Sequence, residues 1–215
     1  MSDLLPVQRD LARLLFSLPE ATGYALAGGA ALVVQRIVDR DTRDLDAFIA
    51  ATPGPTPGTV DLLADAFTEA AQRAGWTLQT IRRHPTLCRF ILDRDDDTVE
   101  LDLAVDSPLL EPPTAIDGIP VLTPLDLAAR KVLAIVDRLE ARDYTDLYAL
   151  AHLVGQQTCI DSALTMDAGL TASAIAEAFE RIDRIPDDRY PERATDAATT
   201  RRYFTTWAHE LLDDH

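Results

Sequence analysis

Apolar residues recur along this chain with two different periods, and the change of period divides it. Near the start, Leu4, Leu11, Leu14, Leu15 and Leu18 fall at helical spacing behind Asp3, a capping residue, which predicts a helix over residues 4–18. A short apolar run at 24–27 reads as a strand, Gly28-Gly29 interrupts it, and residues 30–38 read as a helix. A second strand is expected over 45–50, and the Pro- and Gly-rich stretch 52–58 is a loop by composition. Leu63, Phe67, Ala70, Ala71 and Ala74 share one helical face within 60–74, and Gly75 stops that helix. Three strand-like segments follow at 76–82, 86–92 and 98–105, the last two joined by a charged turn at 93–97. From Pro124 onward the period is helical: 125–139 behind a Thr123 cap, 142–154, a helix capped by Thr171 that runs through Phe179, and 195–212. The pattern predicts an α+β protein, with a mixed α/β half over 1–120 and an all-helical half over 121–215.

With 215 residues and 47% apolar content, the chain has material for a sizeable core. It contains no apolar run long enough to span a bilayer, which takes about 18 residues, so no membrane partner is expected. The acidic N-terminus lacks the basic and apolar regions of a secretory signal, and Cys88 and Cys159 form no metal or redox spacing. Cytoplasmic location follows as the expectation, with both cysteines in the core. A net charge of −16 argues against a protein that coats nucleic acid by bulk electrostatics. Lys131 is the single lysine among 20 basic residues, so its position has to speak for itself.

The candidate chemistry begins at DRDTRDLDAF, residues 39–48. In a strand, Asp44 and Asp46 project from one face, and two carboxylates that close repel unless water or a cation separates them. The segment 98–105 repeats the device: Val99, Leu101, Leu103 and Val105 alternate with Glu100 and Asp102, so one face packs while the other carries two acids. Gly28-Gly29 lies between strand and helix, where backbone amides can face an anion. An anion cradle beside a cation trap is what a nucleoside triphosphate with Mg²⁺ requires, and Asp102 could complete a triad holding two ions. The structural alternatives are a solvated strand end for the aspartates and a tight turn that permits close packing for the glycines.

GGAAL followed by DRDTRDLDAF resembles the glycine pair and Asp-x-Asp signature of the polymerase-β-like nucleotidyltransferases. TPLDLAARKVLAIVDRLEARDYTDLYAL, residues 123–150, is similar to the lysine helix and Arg-Asp-x-x-Asp helix of the AbiEii/AbiGii nucleotidyltransferase toxins. The resemblance covers roughly residues 20–155 and leaves the C-terminal 60 readable only as helical. It implies a polymerase-β-like core, a mixed sheet flanked by helices, and an enzyme that transfers nucleotides from NTP with Mg²⁺ or Mn²⁺. It further implies that Asp44 and Asp46 bind metal; the family's third carboxylate is less regular in position, and on the acidic face of 98–105 Asp102 is chosen for it over Glu100. Gly28 and Gly29 would border the triphosphate, Lys131 would contact its oxygens, and Asp143 or Asp146 would act as an acid–base or positioning group. Arg40 and Thr42 match the arginine and hydroxyl residue that precede the family's aspartates. The implied partners are a cognate antitoxin and an RNA acceptor, a tRNA 3′ end whose blockage stops translation; DNA is not implied.

The residues themselves add to this. Lys131, Arg138 and Arg142 recur at intervals of seven and four, which places them on one cationic face suited to phosphates if the helix continues or bends gently. Asp143 and Asp146 lie one turn apart, and either could simply pair with Arg138 or Arg142. Residues 93–97 lack the glycine and glutamate of a calcium loop and read as a hairpin turn. Arg82, Arg83, His84 and Arg89 form the densest basic spot, either a solvated hairpin or a contact for an RNA backbone. Arg181, Arg184, Arg189, Arg193, Arg201 and Arg202 read as mostly surface residues. Two other functions fit the same residues: transfer to a protein or small-molecule hydroxyl, and non-catalytic binding of a nucleotide or partner. Thr42, two residues before Asp44, is a position where added phosphate would bring about −1.5 to −2 charge to the site.

Overall fold

A computed structural model describes residues 3–51 and 59–213 of the chain, and the loop expected at 52–58 lies outside them. The described residues form two compact units. One comprises 3–35, 41–51 and 59–122; the other comprises Arg36–Arg40 and 123–213.

The first unit is built on a seven-stranded mixed sheet. In chain order its elements are α1 (Pro6–Phe16), β1 (Tyr24–Ala27), α2 (Gly28–Val34), β2 (Asp44–Ala50), α3 (Thr59–Arg73), β3 (Thr77–His84), β4 (Leu87–Arg94), β5 (Asp97–Asp106), β6 (Thr114–Ile116) and β7 (Ile119–Val121). The strands lie in the order β3-β4-β5-β2-β1-β7-β6. β2 runs parallel to β5, and β1 runs parallel to β7; the other neighbours are antiparallel.

Alternation along the strands gives the sheet two unlike faces. Leu45 and Ala47, Cys88, Phe90 and Leu92, and Val99, Leu101 and Leu103 are all buried. α3 packs on β3, β4 and β5, and Phe67 meets Phe90 with ring centroids 6.0 Å apart. The residues between them, Asp44, Asp46, Arg89, Glu100 and Asp102, are only partly buried. The polar face predicted for 98–105 is therefore real. β3 is an edge strand, nearly all exposed, and its register with β4 shifts between Thr80 and Arg82, leaving Ile81 turned outward and 47% exposed.

The first helix starts at Pro6 behind Leu5 and ends at Phe16, shorter than the 4–18 expected behind Asp3, because Pro6 has no amide to donate and takes the first helical position. The helix after the glycine pair begins at Gly28 and ends at Val34, not Val38, because Arg36 turns into the left-handed region at φ 60° and breaks the ladder. The hairpin β6–β7 was not anticipated, although its Asp117-Gly118 turn is flanked by apolar residues. Both turn residues have positive φ, 50° and 82°, the signature of the tight turn that Asp-Gly favours.

The second unit is helical: α4 (Pro124–Asp137), α5 (Ala141–Val154), α6 (Gln156–Met166), α7 (Ala172–Glu180) and α8 (Ala197–Asp213). The expected caps are in place, since Thr123 accepts from the Asp126 amide at 3.3 Å and Thr171 from that of Ala174 at 3.2 Å. α6 was missed; its polar start gave no clear cap, and Gly155 (φ 93°) separates it from α5. The core of this unit is an aromatic stack in which Phe204 touches Tyr144, Phe179 and Trp207 at centroid distances of 5.1, 4.9 and 5.7 Å. The Tyr144 hydroxyl, buried there, donates to the Ala178 carbonyl at 2.6 Å. Arg181 reaches across to donate to the carbonyls of Ile135 and Val136, both at 2.7 Å, which satisfies the last turn of α4 from outside the helix. No helix among the described residues is long and apolar enough to cross a membrane.

Candidate active site

In the sheet unit the site starts from Asp46. It stands opposite Ala27 on one side and Asp102 on the other, while Asp44 stands opposite Glu100. Four carboxylates thus share the open face of two parallel strands. Gly28 follows Ala27 directly and adopts φ 58°. A Cβ placed on it would lie 1.8 Å from Asp46 Oδ2, so only glycine lets the backbone pass the carboxylate this closely. Gly29 is the next residue of α2.

Ahead of β2, the Thr42 hydroxyl donates to the Asp44 carbonyl at a long 3.4 Å, and the Thr42 carbonyl accepts from Gln8 Nε2 at 2.9 Å. Gln8 is buried, and its Oε1 accepts from the Leu5 amide at 3.0 Å. It thereby ties the entry of the acidic strand to the start of α1, a role that the sequence did not suggest.

Asp102 is not open. Arg89 grips both of its oxygens, Nε to Oδ1 at 2.8 Å and Nη2 to Oδ2 at 2.6 Å, and also lies 3.1 Å from Glu100 Oε1. Among the described residues, no group of three or more His, Cys, Asp or Glu side chains is spaced to hold a metal ion. The basic spot around Arg89 is largely spent on partners: Arg83 bonds Asp61 and Asp65 at 2.8 and 2.7 Å.

In the helical unit, Lys131 sits on α4 and Asp143 and Asp146 on one face of α5. Lys131 Nζ lies 2.7 Å from Asp143 Oδ1 and 2.8 Å from Asp146 Oδ2. Arg40 forks onto Asp146 at 2.8 and 2.7 Å, and Arg138 onto Asp143 at 2.7 and 3.1 Å. The result is one chain of contacts, Arg40–Asp146–Lys131–Asp143–Arg138. Both carboxylates are fully buried, and Lys131 is 7% exposed. Burial alone would push the Asp143 carboxyl up, but Lys131 and Arg138 outweigh it and hold it down to about 2. Asp146 is lowered by the same contest, with Lys131 and Arg40 against burial.

Both aspartates are therefore fixed as carboxylates, able to accept and orient but poorly matched to proton transfer near neutral pH. The single cationic face expected from Lys131, Arg138 and Arg142 does not form. α4 ends at Asp137, Arg138 is extended (φ −142°, ψ 163°), and α5 restarts at Ala141. Lys131 and Arg138 converge because the helix breaks between them. A pair that the sequence did not flag, buried Asp126 with partly buried Arg130 at 2.8 Å, lies on α4 with the regular i,i+4 spacing that was its only signal.

The family model described as nucleotidyl transferase AbiEii toxin, type IV toxin–antitoxin system, matches residues 9–213. The chain belongs to the AbiEii nucleotidyltransferase toxin family. The match runs through the C-terminal helices, beyond the 20–155 stretch whose motifs are legible by eye, and it fixes nucleotidyl transfer as the class of activity. Comparison with curated proteins gives no match. Among solved structures, JHP933 from Helicobacter pylori is 17% identical with a TM-score of 0.63, covering 99% of this chain and 94% of that one. A second H. pylori structure, described as a candidate nucleotidyltransferase, is 18% identical with a TM-score of 0.63 and covers 100% and 97%. MenT4, a nucleotidyltransferase toxin from Mycobacterium tuberculosis, is 15% identical with a TM-score of 0.43 and covers 94% and 91%. The two H. pylori proteins share the fold of this AbiEii member, a mixed sheet flanked by helices with a helical C-terminal region.

Proposed function

We propose that this AbiEii member transfers a nucleotide from NTP to an RNA hydroxyl, that of a tRNA 3′ end, in a divalent-metal-dependent reaction that blocks translation. The observation that carries the reading is the approach of Gly28 to Asp46, which reserves the space of a missing side chain for one carboxylate oxygen.

The donor set suits Mg²⁺ or Mn²⁺ in part. Asp44 and Asp46 offer hard oxygens from one strand face, and Mg²⁺ commonly takes one or two protein carboxylates and fills its octahedron with phosphate and water. Arg89 holds both oxygens of Asp102, so a ligand role for Asp102 requires that pair to open. When bound, the ion would neutralise phosphate charge and favour attack on the α-phosphorus.

The remaining roles belong to the chain. The RNA hydroxyl gives its proton to solvent water, its oxygen bonds to the α-phosphorus, and the bond between that phosphorus and the bridging oxygen breaks to release pyrophosphate. Gly28 and Gly29 border the triphosphate with backbone amides. Lys131 is the residue assigned to phosphate oxygens, and Asp143 and Asp146 hold its ammonium at 2.7 and 2.8 Å. Arg138, half-exposed, is placed to reach a ligand, and Asp143 and Asp146 are positioning groups that hold Lys131 and the arginines. The antitoxin expected of a type IV system is the protein partner.

The test is incubation with each labelled NTP, Mg²⁺ and total RNA, beside Asp46→Ala. Label in the tRNA fraction, lost in Asp46→Ala, is expected. Label on protein, or none on any acceptor, would replace this reading. Because the chain is strongly acidic, RNA binding should depend only shallowly on salt, since few phosphates are neutralised.

A further inference from the structure

We propose that Arg89 is a positioning residue that keeps Asp102 out of metal coordination in the free protein, so that the acidic face takes one divalent ion and not two. This rests on the reading of Asp44 and Asp46 as metal ligands and refines it.

Register puts Arg89 where it can do this. Across the sheet one row runs Ala27, Asp46, Asp102, Arg89, Arg82, each residue paired with the next on the neighbouring strand. Arg89 is therefore the point at which an acidic row turns basic. Its guanidinium sits directly across from Asp102 and occupies both carboxylate oxygens at 2.8 and 2.6 Å. A guanidinium stays charged at any relevant pH and forks onto a carboxylate in two parallel bonds, so Asp102 has no free oxygen while the pair stands.

Charge points the same way. Asp44, Asp46, Glu100 and Asp102 place four negative charges on adjoining positions of two strands. Arg89 is a positive charge already built into this face, shared with Glu100 at 3.1 Å. A second Mg²⁺ would have to displace that guanidinium while shedding water it gives up reluctantly. The Asp102 side chain is 15% exposed, which restricts that exchange further. Arg89 thus acts through Asp102, setting the number of ions and touching neither the ion nor the reacting atoms.

The test counts ions in the metal-free, full-length protein titrated with Mn²⁺, using the electron paramagnetic resonance signal of the unbound ion. Expected counts per chain are one for wild type, two for Arg89→Gln, and one again for Arg89→Gln with Asp102→Asn. Arg89→Lys, which keeps a cation beside Asp102, stays at one. Asp102→Asn alone also stays at one, a result that does not pass through a changed arginine. The Arg89 side chain is 43% exposed, so its replacement leaves the sheet folded, and a thermal melt of each variant checks this. A wild-type count of two, a count of one in Arg89→Gln, or loss of the ion in Asp102→Asn overturns the proposal. No ion in wild type, or an unchanged count in Asp46→Asn, overturns the metal reading beneath it instead.

Discussion

Gly28 and Asp46 are packed so that the glycine has no room for a side chain: Asp46 Oδ2 stands 1.8 Å from the place a Cβ would occupy. The carboxylate and the backbone at the start of α2 therefore fix each other's position. Gly28→Ala must push Asp46 aside and also hold φ near 58°, which costs about 1–3 kcal/mol of stability. A displacement of about 1 Å at a reacting centre costs roughly 10²-fold in rate, so turnover should fall far more than the melting temperature. Steady-state assays and thermal melts on the same samples compare the two. Turnover within a few-fold of wild type would mean that Asp46 need not stay where it is.

Removing the buried ammonium should be felt as instability. Lys131→Met leaves Asp143 and Asp146 each short of one contact in a fully buried setting, and breaking such a pair costs about 3–5 kcal/mol. Adding Asp146→Asn to Lys131→Met should cost much less than the sum of the single changes, because the charge left behind is removed. Denaturant midpoints of the four proteins measure the coupling, and additive effects would show that the network is not a unit.

The same network sets an acid limit. Asp143 titrates at about 2 in the folded protein against 3.8 in the unfolded chain, and Asp146 is shifted the same way. A depressed folded value means that the stabilisation is complete above the unfolded value and is lost as pH falls through the folded one. Unfolding free energy should therefore lose a contribution of roughly 2 kcal/mol from Asp143 between about pH 4 and pH 2, with little change from this source above pH 5. Urea titrations across that range, repeated on Asp143→Asn, should show a shallower acid decline in the variant.

A negative charge at Thr42 should silence the enzyme while leaving it folded. The hydroxyl bonds the Asp44 carbonyl at only 3.4 Å, so Thr42→Val should keep most activity. Thr42→Asp adds a carboxylate beside Asp44 and Asp46, which would repel the phosphates proposed to bind there. Turnover of the two variants, compared with their melts, decides the point; equal activity would separate Thr42 from the site.

Much of this arrangement was written in local pattern. Alternation at 98–105 foretold the two-faced sheet, the spacing of Asp44 and Asp46 foretold a shared face, and Thr123 and Thr171 announced their helices. What stayed hidden depended on pairing at a distance. The basic spot at Arg82–Arg89 read as solvated or RNA-facing because its partners come from other strands and from α3. Folding the chain about a two-residue turn at Asp95-Asp96 puts Arg89 opposite Asp102, so this contact was within reach once the turn was placed. The cationic face predicted from Lys131, Arg138 and Arg142 failed for a different reason. Periodicity assumes that the helix continues, and Arg181, 43 residues beyond Arg138 in the chain, satisfies the final carbonyls of α4 where it stops.

The outermost strand has one more consequence. Among the described residues the eight-residue strand β3 pairs on one side only, and such a border offers a template on which a further strand can grow. The slip between Thr80 and Arg82 distorts that border midway. Straightening it with a one-residue deletion at Ile81 should leave a flat rim that recruits other copies into aggregates, which light scattering at rising concentration would register.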